Sequence, residues 1–308
     1  MATQPLAEVF GYPIGNRSED AGRHLKDTLC PFGNHSPNCT KDSIERPLGV
    51  CSILHGGGAV ITCPVRFREG GKIVSDAADF FFPDRETNDR SYTSVREIRL
   101  LDADGKSAGN IDVVLLEYDR RGRITNFGAL EVQAVYISGN VRNPFEHFRA
   151  HRNDEHFVME WPRRAGYPSP DYLSSSRKRL VPQLLYKGGI LKTWRKKQAV
   201  AIQRDFFKTL PPFPVLTEAE VAKADIAWLL YDLELDPATN RYTLQLKEKV
   251  YSEFAPALHQ IITPRVGPMD RFISMLQERL DTEVIRTDGD SPPDAPSLFD
   301  VLDTGVEG

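Results

Sequence analysis

Three observations predict an α/β protein. Residues 110–138, NIDVVLLEYDRRGRITNFGALEVQAVYIS, read as two strands about a tight turn. Three later stretches carry strand patterns: residues 198–202 (QAVAI), 226–235 (IAWLLYDLEL) and 242–250. Helical patterns stand among them, over residues 176–186 and 272–280, with a short helix from Asp205 that stops at Pro211-Pro212. At 308 residues the chain holds one large domain or a core plus a small module. Its 40% hydrophobic and 27% charged content is that of an ordinary globular protein.

The chain starts MATQPLAEVFGYP, with no basic segment followed by an apolar run, so no signal peptide is indicated. No apolar stretch approaches the length of a membrane span, and a cytoplasmic location is expected by default. All four cysteines come early: Cys30, Cys39, Cys51 and Cys63, with gaps of 9, 12 and 12 residues. The absence of CxxC excludes the usual zinc-ribbon spacing, and reducing conditions disfavour a disulfide. Two readings remain. The thiols form one tetrahedral S4 site for zinc or iron, since soft thiolates select such metals, or they are small buried side chains. The flanking CPFGNHSPNC and LGVCSILHGGGAVITCP supply turn residues, and His24, His35 and His55 stand nearby.

The hairpin carries the chemistry. Its first strand spans residues 111–118 and its second 124–137, with Gly122 in the turn able to take a positive φ. Residues two apart on a strand share a face, so Glu131 and Gln133 project together. Pairing around Gly122 puts Asp112 and Glu131 on neighbouring strands, away from the turn. Carboxylates in apolar runs need partners, because burying an unpaired charge is costly. A hard divalent cation such as Mg²⁺ is one partner, since it takes oxygen ligands from one or two carboxylates. The alternative is an arginine, with Arg96, Arg99 and Arg123 at hand, or exposure to solvent.

Beyond the hairpin, His147, His151 and His156 form no HExxH, and beside Arg149 and Arg152 they read as a polar helix or loop. Residues 162–176 carry loop signals, with Ser174 or Ser175 as the N-cap of the next helix. That helix and its sequel hold Arg177, Lys178, Arg179, Lys187, Arg195, Lys196 and Lys197. Residues 151–210 carry 13 Lys/Arg against 5 Asp/Glu, whereas 211–308 carry 8 against 18, so the anion-facing surface belongs to the middle of the chain. Cations beside phosphates make binding salt-dependent, and Arg is the usual reader of guanine. Asp232 and Glu234 alternate with leucines as on a solvated edge, and the acidic, Pro-rich run from Thr287 reads as disordered. No internal repeat is evident.

The series Cys30-Pro-Phe, Cys39-Thr-Lys, Gly49-Val-Cys51 and Cys63-Pro resembles the metal module of the NotI-type restriction endonucleases. Phe127-Gly-Ala-Leu-Glu131-Val-Gln133 is similar to that family's active-site strand, and Asp112, 19 residues before Glu131, matches its first catalytic Asp. Lys178-Arg179 with Gln183 and Tyr186-Lys187, the LELDP after Trp228, and Ser297-Leu-Phe-Asp300 also have counterparts, so the resemblance spans most of the chain.

The resemblance implies a restriction-endonuclease-like α/β core, a mixed central sheet flanked by helices, plus a small N-terminal four-cysteine metal module. It implies a type II enzyme of the PD-(D/E)xK superfamily: a homodimer that cuts double-stranded DNA at a GC-rich palindrome, GGCC-centred by extrapolation, and leaves 5′-phosphate ends. Asp112, Glu131 and Gln133 take the catalytic positions, with Mg²⁺ on the two carboxylates, and Cys30, Cys39, Cys51 and Cys63 hold a structural iron. Glu97 stands as a further acidic residue, against the simpler reading of a salt bridge with an arginine neighbour. Gln133 departs from the superfamily's Lys and cannot carry charge, which shifts the electrostatic work to the metal. The expected organisation is a four-cysteine metal module over 1–70, a nuclease core over 71–286 and an acidic tail over 287–308. A cognate DNA methyltransferase is the expected functional partner, and no membrane is involved. The rival reading is a non-catalytic DNA-binding regulator with a structural S4 site. A small redox protein is disfavoured by the basic middle and the hairpin carboxylates.

Overall fold

The computed structural model describes residues 2–33, 37–84 and 90–290. His35, the Ser297–Asp300 motif and the tail from residue 291 lie outside them. Residues Met1–Ile262 form one compact unit and Thr263–Gly308 a second.

Two sheets carry most of the strands of the first unit. Strands β1 (Leu6–Val9), β2 (Tyr12–Pro13), β3 (Val50–His55) and β4 (Gly58–Ile61) form an antiparallel sheet in the order β2-β1-β3-β4. Strands β5 (Ser91–Leu101), β6 (Ser107–Tyr118), β7 (Ile124–Gln133), β8 (Gln198–Gln203), β9 (Ile226–Asp236) and β10 (Arg241–Ser252) form the larger one, ordered β10-β9-β8-β7-β6-β5. β8 runs parallel to β7 and β9 and the other pairs are antiparallel, so the sheet is mixed. The first unit's longer helices are α1 (Glu19–Lys26), α2 (Lys72–Phe81), α3 (Arg142–His151), α4 (residues 172–193) and α5 (Phe254–Ile262), and the short helix predicted from Asp205 forms over Arg204–Phe207. The second unit holds α6 (Met269–Asp290), longer than the predicted 272–280, and its side chains are exposed over residues 269–283. No helix among the described residues is long and apolar enough to cross a membrane.

Strand alternation sorts side chains into two layers. In β8, Val200 and Ile202 join a core with Leu6, Ile53 and Trp228, while Ala199 and Ala201 face Phe67, Ile73 and Phe81. The small N-terminal sheet therefore shares a core with the large one. Alanines on the second face let α2 lie close, and Gly128 completes that approach. A Cβ there would fall 2.4 Å from Phe81 Cγ.

The hairpin forms as predicted, with Gly122 at φ +74°. Asp119 Oδ1 accepts the Arg121 and Arg123 N–H groups at 2.8 and 2.9 Å, which locks the turn. Its second strand ends at Gln133 rather than 137. Val135 donates its N–H to the Ile61 carbonyl at 2.9 Å, and Tyr136–Ser138 pairs instead with Ser169–Asp171, within the predicted loop. α4 begins earlier than predicted because Asp171, not a serine, caps it by accepting the Ser174 N–H at 2.9 Å. Pro182 has no N–H to give, and widened turns flank it over Ser176–Leu180 and Leu184–Gly188. β9 is an interior strand rather than an edge, and Asp232 on it pairs with Arg204 at 2.6 Å.

Candidate active site

Val113 pairs with Leu130 across β6 and β7, so the next step brings Asp112 level with Glu131. Both carboxyls lie on the face that carries Val114 and Ala129, which pack against Leu191 of α4. Asp112 Oδ2 accepts the Val132 N–H at 2.8 Å, and the Asp112 carboxylate acts electrostatically on Glu131. Glu131 is 1% exposed. Its Oε2 accepts from Lys187 Nζ at 2.5 Å, while its Oε1 is buried without a partner. Lys187 also donates to the Asn110 carbonyl at 2.8 Å. Glu131 thus pairs with a lysine from the helix above rather than with Arg96, Arg99 or Arg123.

Burial pushes the Glu131 carboxyl up, the Asp112 carboxylate pushes it further, and Lys187 pulls the other way, which leaves it at about 8. In an unfolded chain Glu titrates near about 4.3. Between those values the folded protein keeps a proton that the unfolded chain has released. The contribution to stability is therefore full below about pH 4 and is lost as pH rises through about 8. Urea midpoints of the metal-free protein should fall steadily from about pH 5 to about pH 8. A level profile over that window would mean that Glu131 is ionised throughout.

The family model described as Restriction endonuclease NotI matches residues 8–244. The chain belongs to the NotI restriction endonuclease family. It is accordingly a restriction endonuclease, a nuclease acting on double-stranded DNA. No curated protein matches it. The matched span takes in the carboxylate pair, α4 and all four cysteines of this NotI-family chain.

The remaining predicted residues divide clearly. Gln133 is buried beside Glu131, and its Nε2 donates to the Ala134 carbonyl at 2.9 Å. Glu97 lies on β5 with its side chain 58% exposed and 3.8 Å from Arg68. It does not join the pair, since among the described residues no three His, Cys, Asp or Glu side chains form a metal cluster. Arg177, Lys178, Arg179 and Arg195 are exposed. Lys196 and Lys197 are half-buried: one donates to Asn126 Oδ1 at 2.7 Å, the other to the Phe80 carbonyl at 3.2 Å. Lys187 departs furthest from the expected DNA-facing surface, being 2% exposed. The sequence held a signal for this: a lone cation in LLYKGGIL, flanked by apolar residues, needs a buried partner just as Glu131 does.

In the N-terminal part of the NotI-family fold the four cysteines line one small cavity. Cys30 and Cys39 flank the Leu29–Asn38 bridge, Cys51 sits on β3, and Cys63 follows β4. None of the four is in a disulfide. Burial raises Cys39 to about 11 and also raises Cys51, and the neighbouring thiols push both the same way. The thiols surround a common space without forming a closed ligand cluster.

Proposed function

We propose that this NotI-family protein is a type II restriction endonuclease that hydrolyses DNA with Mg²⁺ held by Asp112 and Glu131. The observation that carries the reading is the carboxyl pair, with one buried Glu131 oxygen unpartnered. An orphaned carboxylate oxygen beside a second carboxylate suits a hard cation that takes oxygen ligands. Such a cation acidifies a water and offsets charge on the phosphoryl oxygens. Gln133 accepts a hydrogen bond from the attacking water through its Oε1 and so orients it. The water's oxygen bonds to phosphorus, the P–O3′ bond breaks, the leaving oxygen takes a proton, and 5′-phosphate and 3′-hydroxyl ends result. A cation held there would compete with the proton that burial favours on Glu131, so its affinity should rise with pH.

The rest of the reading follows the family resemblance. A homodimer matches a palindrome by symmetry, GC-rich and GGCC-centred. The four thiols around one cavity support a single structural S4 site, iron by resemblance and zinc by equal chemistry. A cognate methyltransferase protects the host DNA. The DNA face centres on Arg177, Lys178, Arg179 and Arg195, which are exposed. Replacing Arg177 and Lys178 together by Ala should lower the salt slope of DNA binding by about 2, since each phosphate contact contributes about 0.9. Lys197→Ala should leave that slope unchanged, because its amine is engaged with Phe80.

The test is direct. Phage DNA incubated with the protein and Mg²⁺ should give discrete fragments, and sequencing their ends reads both the site and the overhang. Bound but uncut DNA would favour the regulator reading instead.

A further inference from the structure

We propose that Lys187 supplies the positive charge of the nuclease site, delivered from helix α4 rather than from the active-site strand. The inference rests on the nuclease reading and adds a residue that the reading does not use. On β7 the position two beyond Glu131 is Gln133, an uncharged amide whose Nε2 is committed to the Ala134 carbonyl. The amine of Lys187 reaches the same carboxylate from the opposing layer, 2.5 Å from Glu131 Oε2 and 2.8 Å from the Asn110 carbonyl.

The local backbone is shaped to deliver it. Leu185 and Tyr186, the residues just before it, are 44% and 64% exposed, yet Lys187 is 2% exposed. The widened turn over Leu184–Gly188 carries it inward. Wide turns of this kind inside helices recur at functional sites. Gly188 then lets the helix lie close: a Cβ there would fall 2.6 Å from Phe254 Cε2 and 2.9 Å from Gln198 Oε1. The amine ends on the one carboxylate whose other oxygen is left open. A phosphodiester seated against that carboxylate pair meets the lysine charge directly. As water's oxygen bonds to phosphorus and the P–O3′ bond breaks, the lysine offsets the negative charge that builds on the phosphoryl oxygens.

A merely structural lysine would neutralise Glu131 and do nothing more, and a relocated charge separates the two roles. In Lys187→Met, single-turnover cleavage at saturating DNA should fall about 100-fold or more. Mn²⁺ binding, followed calorimetrically without DNA, should stay as tight as in the wild type or tighten. Adding Gln133→Lys to that variant returns a charge to the same face and should recover at least about tenfold of the lost rate. Wild-type cleavage by Lys187→Met overturns the inference. So does loss of Mn²⁺ binding in step with cleavage, and so does a folded double variant with no recovery. If Lys187→Met does not fold, Lys187→Gln keeps a hydrogen-bond donor without the charge and is judged by the same criteria. Wild-type protein that cuts no DNA would sink the nuclease reading itself. Cutting that persists in the lysine variants sinks this inference alone.

Discussion

Replacing Glu131 by Gln is expected to lower cleavage by about 10³-fold or more, equivalent to about 4 kcal/mol of barrier, while DNA binding survives. The shape of the side chain is kept and one negative charge is lost. What remains around the position is the Asp112 carboxylate and the Lys187 cation, whose charges cancel and leave little to attract a divalent cation. Glu131 is buried, so water would not readily replace the oxygen that the proposed cation site loses. Folding should not suffer. The wild-type carboxyl is held at about 8 by burial and by Asp112, so the amide removes a group that costs stability at alkaline pH. Metal-free Glu131→Gln should therefore unfold at an equal or higher urea concentration than the wild type near about pH 8. Full cleavage by this variant would remove the site from β6 and β7 altogether. Loss of DNA binding with intact folding would mean that Glu131 contacts DNA.

Glu131 was within reach of the sequence because its evidence is local. A glycine turn fixes the pairing, the period of two fixes the face, and the rung from Val113–Leu130 to Asp112–Glu131 follows. β8, β9 and β10 were legible for the same reason, as apolar patterns over residues 198–202, 226–235 and 242–250 that the strands exceed by one to three residues. What joins β7 to β8 was not. Parallel pairing depends on a long crossover whose path no local pattern records. The cap of α4 was misplaced by a few residues because Asp171, Ser174 and Ser175 all have the chemistry of an N-cap. Ser175 is instead buried, and its hydroxyl serves Tyr136 and Asp171. Lys187 lies 56 residues from its partner, and a basic run invites a surface reading. The apolar flanks were the better guide, but they name no partner without the fold.

Cys51→Ser is expected to have the second large effect, on stability rather than on chemistry. Cys51 is buried on β3 and lines the same cavity as Cys30, Cys39 and Cys63. The neighbouring thiols add to burial in raising it, so a cation held among them would favour their thiolates. In small zinc domains metal binding contributes at least about 10 kcal/mol to folding. If less than half of that applies here, about 4 kcal/mol, the melting temperature falls by roughly 6 °C in a chain of this size. The cavity has a mechanical route to the strand that carries Glu131. Cys51 and Cys63 bracket the β3–β4 hairpin, whose Ile61 accepts the Val135 N–H, two residues beyond Gln133. Loosening that hairpin frees the exit of β7, so cleavage should fail at a lower temperature than in the wild type while the low-temperature rate is kept. Metal content, melting curves and cleavage against temperature measure the three consequences. A metal-free Cys51→Ser protein that melts and cuts like the wild type would reduce the four thiols to ordinary core packing.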